Sequence, residues 1–259
     1  MCNCKQNEYE LLPELEAIVR NYAVGYDREY ETPGGASRSF VTNFSGPAAE
    51  CTAALTRAGK TQAQALAIIN TQIALAIRML RVAADKLKQG NRTATTNRIF
   101  QRIFRVPPSF VPTWLTPSAT IKDRGDVVAV RCSRVADLLA SGRIRFFCQT
   151  TAANCPDCGD DNSDFACSSW GAHNVICLGA PFWEDMKNGR LTSLLSTLMH
   201  EPFHIYFGQY VTEHGTHPDG SSVGKFGGIY CIVQFVFQIN SKTAAPRVRS
   251  RCRAVPVRR

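Results

Sequence analysis

His200, Glu201, Pro202, Phe203 and His204 form an H-E-x-x-H pentapeptide. On an α-helix, residues four apart are offset by roughly 40° and stand about 6 Å apart along the axis, so both imidazoles can reach one ion. Neutral imidazole nitrogens are ligands for Zn²⁺, and a carboxylate about 100° round the helix can sit near the metal without binding it. Zinc lowers the pKa of its water toward roughly 7 and polarises a carbonyl, and a neighbouring carboxylate can take the water's proton. The pattern therefore predicts His200 and His204 as ligands of one Zn²⁺ and Glu201 as general base of a hydrolysis.

The element that must position these groups is a helix. Leu194, Leu195, Leu198, Met199, Phe203 and Phe207 flank the pair at helical spacing, so the segment reads as buried rather than as a solvated face. Two histidines and a glutamate in such surroundings need partners, because unpaired buried polar groups are costly. Pro202 removes the amide that would bond to the carbonyl of Leu198, at about 3 kcal/mol in a helix interior. Its position predicts a kink, or a less regular hold on the two rings.

The rest of the chain is long enough to build a core around that helix. It has 259 residues and is 44% hydrophobic, which suits one large or two small globular domains. The net charge is +9, but 241–259 holds Lys242, Arg247, Arg249, Arg251, Arg253, Arg258 and Arg259 with no acid, so seven of the nine charges sit in that tail. The nearly neutral body argues against a nucleic-acid enzyme with a basic cleft. The tail reads as a solubilising arm or as a contact for an anionic surface or nucleic acid. No basic-then-apolar leader opens the chain, and no apolar run approaches the roughly 20 residues of a membrane span.

Periodicity places the scaffold. Residues 32–46 are rich in Gly, Ser, Thr and Pro and read as a loop. Leu66, Ile69, Ile73, Ile77, Leu80, Ala84 and Leu87 predict a long helix with Gly90 as the glycine that ends it. Residues 97–106 predict a short amphipathic helix stopped by Pro107-Pro108, and Val128, Cys132, Val135, Leu138 and Leu139 predict another ending at Ser141-Gly142. Residues 144–148 and 174–178 are β-rich and read as strands.

Between those strands lie Cys155, Cys158 and Cys167, with Cys177 in the second strand. Their irregular spacing favours a disulfide-braced loop over a zinc ribbon, and Asp157, Asp160, Asp161 and Asp164 favour a solvated acidic loop over a calcium site. Eleven cysteines suggest disulfides in an oxidising compartment, or else a reduced cytosolic set. The odd number leaves at least one unpaired.

Taken in order, a helical first half, a strand ending Phe-Phe-Cys, a Cys-x-x-Cys loop, Val175-Ile-Cys-Leu-Gly-Ala-Pro-Phe-Trp183 and Thr197-Leu-Met-His-Glu-x-x-His204 resemble the aspzincin metallopeptidases, the family of deuterolysin and the peptidyl-lysine metalloendopeptidases. The resemblance covers roughly residues 40–240. It implies an α+β, zincin-like metallopeptidase domain, predominantly helical with a small sheet. It also implies a zinc-dependent endopeptidase working by metal-activated water, with a protein or peptide as substrate, and export of the chain. Asp219, in Gly215-Thr-His-Pro-Asp219, matches the family's third ligand by residue type; His214 is the alternative. Tyr230 and Tyr210 are candidates for hydrogen-bonding an oxyanion. Near Tyr230 the lysine-specific members carry an acid, so a lysine preference is not expected here.

These readings divide the chain into an N-terminal segment (1–39), a metallopeptidase domain (40–240, with a helical half to 142 and a catalytic half from 143) and the basic tail (241–259). The other reading is a catalytically weak or degenerate zincin scaffold that binds a partner as a secreted effector. Secretion would then use a route that the sequence does not display, with the cytoplasm as the other compartment.

Overall fold

The computed structural model describes residues 39–111, 115–160, 162–169, 174–207 and 228–240. Its elements in chain order are α1 (Ala48–Ala58), α2 (Gln62–Leu87), a 3₁₀ turn (Gln89–Asn91), α3 (Ala94–Phe104) and α4 (Arg124–Ala140). They are followed by β1 (Arg145–Phe147), β2 (Ala166–Ser169), β3 (Val175–Leu178), α5 (Ala180–Lys187), α6 (Leu191–Phe207) and α7 (Ile229–Asn240). The architecture is α+β, mainly helical with one three-stranded sheet.

Helix α2 starts at a reciprocal cap: the Thr61 side chain accepts from the Gln64 amide at 3.2 Å, and the Gln64 side chain accepts from the Thr61 amide at 3.0 Å. Its apolar residues recur on more than one face, and α2 packs against α4, α6 and α7. It is the one described helix long and apolar enough to cross a bilayer, yet 56% of that stretch is buried within the fold, as the central helix of a core would be.

Gly90 does not end this helix as expected. The helix stops at Leu87 and Gly90 lies in the 3₁₀ turn, without the left-handed backbone that would make glycine the terminator. The residue in that conformation is Arg105, at φ 63°, which closes α3 just before Pro107-Pro108. Gly142, at φ 67°, follows the end of α4, as its sequence suggests.

A buried ion cluster ties the end of α2 to the start of α4. The Arg92 guanidinium donates to both oxygens of Asp123 at 2.6 and 2.8 Å and to Asp126 at 2.7 Å, while its Nε donates to the Leu87 carbonyl. Asp123 also caps α4 by accepting from the Asp126 amide at 3.0 Å. Burial raises the Asp123 pKa, but the bonds from Arg92, the Asp126 amide and Gln89 outweigh it and hold the carboxyl below its ordinary range.

In the sheet β3 is central, with β1 parallel on one side and β2 antiparallel on the other. Side chains alternate faces along a strand. Phe146, Ala166, Ile176 and Leu178 join the large helical core, whereas Val175, Cys177 and Phe147 form a small separate cluster with Cys155 and Cys158.

Three disulfides brace this layer: Cys51–Cys148 joins α1 to the end of β1, while Cys155–Cys177 and Cys158–Cys167 tie the intervening loop to β3 and β2. Among the described residues Cys132 is the free thiol; burial in α4 pushes its pKa up to about 12, so it stays protonated and inert. The expected disulfide-braced loop is therefore present, and the zinc-ribbon alternative does not apply.

The loop is solvated at Asp157 and Asp160, as expected, and departs from that at Asp164. Asp164 is buried, Asp160 accepts from the Ala152 amide at 2.7 Å, and Asp157 accepts from the Ser169 hydroxyl at 2.7 Å. Asp161 lies outside the described residues.

The Leu-Gly-Ala-Pro-Phe-Trp run has a physical reading here. A Cβ on Gly179 would lie 1.7 Å from the Asp164 carbonyl oxygen, so only glycine lets β3 pass under the loop into α5. Pro181 sits in the first turn of α5, where its missing amide costs nothing. Phe182 and Trp183 enter the core, and the indole N–H reaches the Cys148 carbonyl at 3.0 Å.

Candidate metal centre

Helix α6 continues through Pro202 to Phe207, and its flanking residues Leu194, Leu195, Leu198, Met199 and Phe203 are all fully buried. The pentapeptide therefore lies within one helix, inside the protein. His200, Glu201 and His204 are 4%, 3% and 5% exposed, so each needs a partner to offset its desolvation.

The two histidines face each other. Their Nε2 atoms are 3.2 Å apart, with ring centroids 5.1 Å apart and planes inclined at 58°. Two nitrogens each about 2.0–2.1 Å from one tetrahedral zinc ion stand about 3.3–3.4 Å apart. The separation thus fits a pair of ligands to one ion, and it also fits a hydrogen bond between two neutral rings of opposite tautomer.

Glu201 leaves the helix about 100° round from His200, and its carboxylate meets Ser168. Its Oε2 accepts from the Ser168 hydroxyl at 2.6 Å, and the same hydroxyl lies 3.0 Å from the Glu201 carbonyl oxygen. Ser168 is on β2, opposite Ile176 of β3, and is itself 4% exposed. The neighbouring Ser169 faces the other side of the sheet and binds Asp157.

Tyr230, in the first turn of α7, stacks obliquely on His200 with ring centroids 4.8 Å apart and is also buried. The fold thus sets His200 beside His204 and Tyr230, and Glu201 against Ser168. Asp219, His214 and Tyr210 fall outside the described residues. Among the described residues no three His, Cys, Asp or Glu side chains converge as a metal-binding group.

The residue that sequence reasoning missed is Ser168. A buried glutamate announces that it needs a partner, but nothing in the serine's immediate sequence says that it is the one. No protein-family model matches the chain, and no curated protein or solved structure matches it.

Proposed function

We propose that the protein is a zinc-dependent endopeptidase with a zincin-like site, of the kind its motifs resemble. The observation that carries this reading is the 3.2 Å separation of the His200 and His204 Nε2 atoms on a buried helix. His200 and His204 would hold the zinc ion, with Asp219, or alternatively His214, as the third ligand that the sequence offers. Bound zinc supplies a Lewis acid that polarises the scissile carbonyl and makes water nucleophilic at neutral pH.

The other steps belong to the chain's own residues. Glu201 takes the proton of the attacking water on its carboxylate and passes it to the departing amine. Tyr230 packs obliquely on His200, with the rings inclined at 48°, and so limits the turning of that imidazole. Tyr210 and the Tyr230 hydroxyl remain the candidates for the oxyanion. The disulfide layer suits an oxidising compartment, which supports secretion as part of the same reading.

Replacing Glu201 with Gln tests the proposal. Hydrolysis of labelled casein should fall about 100- to 10,000-fold while zinc content is unchanged. A partner-binding scaffold would hold zinc and show no hydrolysis before or after that change.

A further inference from the structure

Ser168 presents one proton to two acceptors of the same residue. Its Oγ is 2.6 Å from Glu201 Oε2 and 3.0 Å from the Glu201 carbonyl oxygen, all inside the protein. The Glu201 carboxylate ends a side chain with three rotatable bonds, and this contact selects one arrangement of it. The serine is also held from behind. Its neighbour Cys167 is bonded to Cys158, Cys167 and Ser168 are in register with Cys177 and Ile176 of β3, and Cys177 is bonded to Cys155.

We propose that Ser168 is the positioning residue for Glu201, a hydroxyl on a covalently braced strand that aims the carboxylate of the H-E-x-x-H helix. The inference rests on the reading of Glu201 as general base.

The test uses the full zinc-loaded chain, with labelled casein as probe, in natural form and as Ser168→Ala and Ser168→Thr. Loss of a partner that orients a working group costs about 10- to 100-fold in activity. Ser168→Ala should lower kcat by that factor with KM and zinc content unchanged, and Ser168→Thr, which keeps the hydroxyl, should restore most of it. Natural kcat in Ser168→Ala would overturn the proposal, as would a fall in kcat that came only with loss of zinc. Crystal structures of the natural chain and of Ser168→Ala keep the question decidable if casein is not cleaved at all, which would count against the endopeptidase reading alone. A displaced Glu201 carboxylate in the alanine variant supports the positioning role, and an unmoved one refutes it.

Discussion

Phe146, Ala166, Ile176 and Leu178 leave one face of the sheet and enter the helical core, while Phe147, Val175 and Cys177 leave the other and meet Cys155 and Cys158. The first face packs on α6 and joins the large helical core; the second has a loop with few large apolar residues. Where there is too little apolar surface to hold a layer, covalent links substitute for packing. The candidate site lies at the boundary, with the histidines on a helix of the packed layer and Ser168 on a strand of the braced one. The comparison teaches that Glu201 is positioned by both layers at once.

Removing the links one at a time probes the difference. In the chain-entropy description, losing Cys51–Cys148, which spans 97 residues, destabilises by about 4.7 kcal/mol, against about 3.4 for Cys155–Cys177 and about 2.6 for Cys158–Cys167, spanning 22 and 9. Paired Cys→Ala variants followed by denaturant unfolding should give that order. A larger loss for Cys158–Cys167 than for Cys51–Cys148 would show that the braced layer is held by more than loop closure.

Packing should dominate on the other face. Phe146→Ala, at the buried residue of β1, should cost about 3–5 kcal/mol by the same measurement. A cost below about 1 kcal/mol would mean that the sheet rests on its disulfides on both sides.

The smallest effect concerns acid. Because the folded pKa of Asp123 lies below its ordinary value of 3.8, its contribution is complete above that pH and is lost as pH falls through the lower folded value. Asp123→Asn should therefore flatten the fall in stability below pH 3.8, measured against the natural chain. An unchanged slope would show that the Arg92 cluster does not titrate with folding.

Much of this was legible in the sequence. Periods of three and four located α2, α3, α4 and α6, and the β-branched and aromatic runs located β1 and β3, because each buries a face that its own composition displays. Strand β2 was not legible. Ala166-Cys-Ser-Ser169 has small side chains and no apolar alternation, and it is a strand because β3 and the Cys158–Cys167 bond hold it there. Ser168 was invisible for the same reason, since a contact 33 residues away in the chain belongs to the tertiary fold. Gly90 misled because a glycine shortly after an apolar run resembles a helix terminator, whereas the turn that forms there needs no left-handed residue. The acidic loop misled at Asp164, whose carbonyl had to lie over Gly179.

Metal analysis of the natural chain and of His204→Ala, both dialysed against zinc and then freed of excess, bears most directly on the pair of imidazoles 3.2 Å apart. The account predicts one zinc per natural chain and none in the variant. A natural chain without zinc, or a variant that keeps as much, would contradict it.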